Sequence, residues 1–138
     1  MEWYLKVMKQ YADFSGRARR TEYWMFTLIY NVITYAIYFA AIVGMSQSPT
    51  MLTIAMGAVV VLSLVHFIPS LAVLARRLHD TDRSGWWFLI VFIPIIGIIV
   101  LIVFLCQDSV PGRNKWGPNP KNPDEDSEIL DDVIDDIV

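Results

Sequence analysis

Across 138 residues the chain is 55% hydrophobic and 18% charged, with a net charge of −3. That balance is too apolar for an ordinary soluble domain, and with no basic excess no nucleic-acid partner is expected. A single cysteine, Cys106, excludes an intrachain disulfide and a thiolate metal cluster, and with no metal-binding or cofactor motif in the chain no metal and no cofactor is expected.

Trp3, Tyr4, Val7, Met8, Tyr11 and Phe14 recur at helical spacing, while Glu2, Lys6, Lys9, Gln10 and Asp13 fall on the other side. The pattern predicts an amphipathic helix over 2–14, suited to the headgroup plane. Packing of the same helix on the protein's own surface is the alternative. Residues 23–75 then form a run of 53 without Asp, Glu, Lys or Arg, and residues 84–107 a second run of 24. Crossing a hydrocarbon core of about 30 Å takes about 20 residues at 1.5 Å each. The first run holds two spans and the second holds one. The fold class that follows is an all-α integral membrane protein, with three transmembrane helices behind an amphipathic interfacial helix. The spans are expected over 22–44, 51–78 and 86–106, with a kink at Pro69. Ser46, Gln47, Ser48 and Pro49 form the first turn. The first apolar run is too long for a signal peptide and is expected to stay as an anchor.

Lys6, Lys9, Arg17, Arg19 and Arg20 precede the first span, and Arg76, Arg77 and Arg83 lie between the second and third. The turn over 45–50 has no basic residue. Positive charge favours the cytoplasmic side, which places the N-terminus there and, with three crossings, the C-terminus in the periplasm. Pro94 and Gly97 leave a second arrangement open, in which the third run folds back as a re-entrant hairpin. Lipid-exposed irregular backbone is disfavoured, so the span is the first expectation.

The segment 110–123 is rich in Pro, Gly and Asn, as extended turn-forming chain is. It closes a membrane domain over 1–121. The tail over 124–138 is acidic, yet Ile129, Leu130, Val133, Ile134, Ile137 and Val138 share one helical stripe. Its carboxylates would be repelled by anionic lipid, so a protein partner held through Ile129, Val133 and Ile137 is one expectation. A disordered solubilising tail is the other.

Residues 14–24, Phe-Ser-Gly-Arg-Ala-Arg-Arg-Thr-Glu-Tyr-Trp, resemble the entry motif of the bacterial membrane family called domain of unknown function 805. Arg76-Arg77-Leu78-His79-Asp80 running on to Ser84-Gly85-Trp86-Trp87 is similar to a second block of that family. Residues 111–120, Pro-Gly-Arg-Asn-Lys-Trp-Gly-Pro-Asn-Pro, are similar to a third. The resemblance covers residues 1 to about 121. It implies a helical protein of the bacterial inner membrane with no established activity; the acidic tail lies beyond it.

The candidate site is an arginine-rich cytoplasmic rim: Arg17, Arg19 and Arg20 from one side, Arg76, Arg77, His79, Asp80 and Arg83 from the other. Arginine forks bind phosphate or carboxylate, and each basic residue near an anionic leaflet contributes about 1 kcal/mol. A lipid headgroup or a partner protein is thus expected to dock at this rim, with membrane lipids, anionic ones among them, as partners. The plainer reading is that the arginines set topology, with Glu22, Asp80 and Asp82 as internal counter-charges. Trp24, Trp86 and Trp87 read as interfacial anchors. Within the membrane, Asn31 on the first span and His66 on the second lie at similar depth and are expected to hydrogen bond, with Ser70 on the His66 stripe. A homo-oligomeric transporter or channel component, lined by Thr27, Asn31, Ser63, His66 and Ser70, is the alternative function. Enzyme chemistry is not expected: His66, His79 and Cys106 match no metal spacing, and no nucleophile or phosphate-loop motif is present.

Overall fold

The computed structural model describes residues 2–45, 48, 50–124 and 134. Among them the regular structure is helical: α1 (Glu2–Lys9), α2 (Arg20–Met45), α3 (Thr50–Asp80), a 3₁₀ helix (Gly85–Phe92) and α4 (Ile96–Cys106). The chain divides into two compact units, Met1–Asp13 with Trp24–Ala72 and Phe14–Tyr23 with Val73–Val138.

In the first unit, α1 carries Glu2 in its first turn and Lys6 and Lys9 in its last, the charge order a helix dipole favours. It is shorter than expected, ending at Lys9. Val7 is fully buried, while Leu5, Lys6 and Lys9 are exposed. The helix therefore packs on the protein through one face, the alternative raised above. Its apolar anchor into the unit is Tyr4, whose ring stacks on Phe26 at 5.5 Å.

Helices α2 and α3, of 26 and 31 residues, are both long and apolar enough to cross a membrane. At 1.5 Å per residue they reach about 39 and 46 Å, beyond the hydrocarbon thickness. Their arginine-bearing ends can therefore stand in the headgroup region. Pro69 lies inside α3, fully buried, and the helix continues through it. Much of the remaining surface of both helices is apolar and exposed, including Phe39, Ile42, Leu64 and Phe67, as lipid-facing helices require.

The second unit departs from expectation. A continuous third helix over 86–106 is absent. In its place the 3₁₀ helix ends at Phe92, and α4 begins at Ile96 after a reversal. Pro94 supplies the physical reason, since it has no amide to give and clashes with a continuing helix. Ile95 then takes φ 64, ψ −64, and the Ile96 amide donates to the Pro94 carbonyl at 2.7 Å. That is a γ-turn of the rare, strained hand. Gly97 is required where the arms pass. A Cβ there would sit 1.7 Å from the Ile90 carbonyl oxygen. With 11 residues, α4 extends about 16 Å, too short to cross alone.

Beyond α4 the chain runs without helix through residues 107–124, with a single bridge between Asn114 and Gly117. Gly112 (φ 67) and Gly117 (φ 139) occupy left-handed positions that side-chain-bearing residues rarely adopt. Ile129, Val133 and Ile137, the residues expected to hold a protein partner, lie outside the described residues.

Candidate functional site

All the residues of the expected rim fall in the second unit, and they are organised around Asp80 at the C-terminal end of α3. Arg17 arrives from the segment before α2, held there because the Ala18 amide donates to the Arg76 carbonyl at 3.0 Å. Its Nε donates to Asp80 Oδ1 at 3.0 Å, with both side chains shielded from water. Nη1 donates to the carbonyls of Gly112 (2.8 Å) and Gly117 (3.4 Å). Nη2 donates to those of Val110 (2.6 Å) and Asp80 (3.4 Å). Every N–H of the guanidinium fork is thus engaged.

Arg77 occupies the other side of the carboxylate. It donates to Asp80 Oδ2 and the Gln107 carbonyl, and its Nε reaches the Leu105 carbonyl at 3.1 Å. Ser109 Oγ also donates to Asp80 Oδ2, at 2.6 Å, and the Val110 amide to the Asp80 carbonyl at 3.0 Å. Arg76 pairs with Glu22 at 3.5 Å, again with both side chains buried. A buried charge is tolerated only when paired and hydrogen bonded. Here the partners are carboxylates and the carbonyls of residues 105–117. The arginines therefore hold the second unit together.

Around this hub lies a more accessible shell. Arg19 Nε donates to the Pro120 carbonyl at 2.5 Å. Arg20 reaches the Cys106 carbonyl at 3.3 Å and Asp108 at 3.3 Å. Arg83 donates to Gln107 Oε1 at 2.7 Å and sits 3.9 Å from the centre of the Phe104 ring, a cation–π geometry. Arg113 and Lys115 are exposed. A hydrogen bond from Lys121, followed by one from the Ser109 amide, holds the Asp108 carboxyl below the usual carboxylate range.

His79 stacks flat on Trp116, 4.4 Å between ring centres and 9° between planes, and its Nδ1 lies 3.2 Å from the Gly16 carbonyl. Asn114 donates to the His79 carbonyl at 2.8 Å. Gly85 passes close by: a Cβ on it would come within 3.1 Å of Ala75 Cβ. The tryptophans expected at the interface are exposed, Trp24 in the first unit, Trp86 and Trp87 in the second.

The expected Asn31–His66 hydrogen bond is not made. Asn31 Nδ2 instead donates to the Thr27 carbonyl of its own helix, and Thr34 likewise to Tyr30. In the first unit, buried His66 contacts the Leu62 carbonyl through Nδ1 at 2.8 Å and the Tyr4 hydroxyl through Nε2 at 2.7 Å. A carbonyl can only accept, so Nδ1 carries the proton; Nε2 of the neutral ring then accepts from Tyr4. The phenol is a donor at neutral pH, and burial pushes it further above its ordinary value. Tyr30 and Phe26 also flank the imidazole, at 4.9 and 6.0 Å. Tyr30 and Ser63 share a hydroxyl hydrogen bond at 3.2 Å between α2 and α3. Ser70 is half-buried on α3.

Tyr4, Ser109, Asn114 and Trp116 make contacts that no motif in the sequence signals. Tyr4 was visible only as part of an apolar stripe. Asn114 and Trp116 lay in a block whose resemblance assigned them no role.

Two relatives from Escherichia coli strain K12 align over nearly their whole length. "Inner membrane protein YhaH" is 47% identical over 124 residues, covering 88% of this chain and 98% of the relative. "Inner membrane protein YhaI" is 48% identical over 121 residues, covering 88% and 97%. No solved structure matches the chain. The family described as "Protein of unknown function (DUF805)" matches residues 11–118, the stretch that contains α2, α3, the folded-back apolar run, the first two blocks and all but the last two residues of the third. The chain belongs to that family.

Proposed function

We propose that this chain is a non-enzymatic inner-membrane protein that docks anionic lipid headgroups at the cytoplasmic face through the outer basic residues of its second unit. The names of the Escherichia coli relatives support the inner membrane. The basic residues on both sides of the two long helices, with none in the turn between, support the cytoplasmic orientation.

The observation that carries the reading is the division of labour among the cations. Arg17, Arg76 and Arg77 are buried against carboxylates, so they frame the site and do not reach a ligand. Arg83, Arg113 and Lys115 stand outside that frame with water-accessible surface. Trp86 and Trp87 lie exposed near Arg83 in sequence, at the start of an apolar stretch. Tryptophan favours the headgroup level, and a basic residue at that level gains about 1 kcal/mol from an anionic leaflet.

The test is the thermal stability of the purified protein in detergent after adding phosphatidylglycerol or phosphatidylcholine. The wild type is expected to gain stability selectively from the anionic lipid. The triple variant Arg83→Gln, Arg113→Gln, Lys115→Gln, measured against its own lipid-free midpoint, is expected to lose most of that selective gain. An undiminished gain in the variant would overturn the proposal.

A further inference from the structure

We infer that residues 85–106 form a wedge that enters a single leaflet and returns to the side it left, with its surface packed against the acyl chains of that leaflet. Both ends of this stretch are tied to one place. At the entry, the Thr81 amide donates to the Leu78 carbonyl and Gly85 lies against Ala75 and His79. At the exit, Arg77 holds the Leu105 and Gln107 carbonyls, and the Val110 amide donates to the Asp80 carbonyl. The last turn of α3 therefore receives the chain at both residue 85 and residue 105.

Length sets the depth. Eight residues of 3₁₀ helix rise about 16 Å at 2.0 Å each, and the 11 residues of α4 rise about 16 Å at 1.5 Å each. The arms match one another, and each matches about half of a 30 Å hydrocarbon core.

Composition selects the occupant. The sequences GWWFLIVF and IGIIVLIVFLC carry no charged side chain. Phe92 is 76% exposed and Ile95 is 73% exposed at the tip, a surface water would not tolerate as a contiguous patch. Trp86 and Trp87 stand at the open end, where the arginines are, and the bulky aliphatic residues at the tip.

Three amides at the reversal find backbone acceptors, as burial in lipid favours. Ile93 donates to Ile90, Ile96 to Pro94 and Gly97 to Ile93. Pro94 has no amide proton to satisfy. One consequence contradicts the expected periplasmic C-terminus. Residues 106–124 emerge on the side of Arg17 and Asp80, which the charge distribution makes cytoplasmic.

Single-cysteine labelling tests this without reference to lipid headgroup binding. In a Cys106→Ser background, Ser15→Cys and Asp82→Cys mark the rim side and Asn122→Cys reports the exit. A membrane-impermeant maleimide is applied to sealed right-side-out and inverted vesicles. Asn122→Cys is expected to react in the same vesicle orientation as both markers. Reaction in the opposite orientation would overturn the inference, because a third crossing would then exist. Phe92→Cys is expected to resist the impermeant reagent in both preparations while reacting after denaturation in detergent, because a thiol among acyl chains does not ionise. Its labelling by the impermeant reagent from either side would equally overturn burial of the tip in the leaflet.

Discussion

Arg17 Nε and Asp80 Oδ1 meet at 3.0 Å across a separation of 63 residues, with 1% and 0% of their side chains exposed. Arg77 contacts the same carboxylate through its other oxygen. Removing one partner of a buried pair strands the other charge and costs about 3–5 kcal/mol. Asp80→Asn keeps the shape but strands two guanidinium groups. We expect it to lower the thermal midpoint sharply. Arg20→Gln, which removes a pair whose members are 43% and 54% exposed, is expected to cost far less, because solvent screens an exposed pair. Comparable losses for the two variants in a thermal melt would show that the Asp80 hub is not what holds the unit.

Tyr4 and His66 define the second prediction. Tyr4→Phe retains the ring that stacks on Phe26 but leaves His66 Nε2, a buried acceptor, without its donor. A stranded buried acceptor costs about 1–3 kcal/mol. The loss should appear first as faster hydrogen exchange in α1, over residues 2–9, before the long helices are affected. Unchanged protection of that helix would argue that the hydroxyl contact contributes nothing to its docking.

The two long helices were legible because charge-free length is dictated by the membrane and little else produces it. So was the convergence of the arginines, since α2 begins and α3 ends with them. Their burial was not legible. It depends on carbonyls of residues 105–117 that no side-chain pattern reveals, and counting charges cannot distinguish an arginine facing lipid phosphate from one facing Gly112. The Asn31–His66 pairing failed for a related reason. Depth along two helices ignores a third competitor, and Tyr4 on α1 reaches His66 while Asn31 finds an acceptor four residues back on its own helix. Hydropathy could not separate a span from a fold-back over 86–106, because both present apolar side chains to lipid. Pro94 and Gly97 were the only signals, and both proved to sit at the reversal.

Gly97 and Ile95 give opposite predictions for those two arrangements. In a straight helix, Gly97→Ala would stabilise by about 1 kcal/mol and Ile95→Gly would destabilise by a similar amount. In the observed hairpin a Cβ at position 97 strikes the Ile90 carbonyl at 1.7 Å, so Gly97→Ala must force the arms apart. Ile95, at φ 64, pays a left-handed penalty of about 1–2 kcal/mol that glycine does not. Ile95→Gly is therefore expected to be neutral or mildly stabilising and Gly97→Ala clearly destabilising. Thermal melts of both variants in the same detergent decide the sign.

Asp108 gives the pH dependence. Its carboxyl is depressed by the hydrogen bonds from Lys121 and the Ser109 amide, reinforced by the charges of Arg20 and Lys121. A carboxyl depressed in the folded state binds its proton more readily when the segment is released. Its contribution is then complete above the unfolded value and is lost as pH falls through the folded one. Attachment of residues 108–121 should accordingly be flat from about pH 5 to 8 and weaken only under stronger acid, near and below the ordinary carboxylate range. Because Lys121 and Asp108 are both about half exposed, raised salt should weaken the same attachment at neutral pH. The measurement is amide exchange at Ser109 and Lys121 across that pH range, compared between wild type and Asp108→Asn. The variant should exchange faster at neutral pH and lose the part of the acid response that Asp108 supplies. An identical acid response in the variant would show that Asp108 does not supply it.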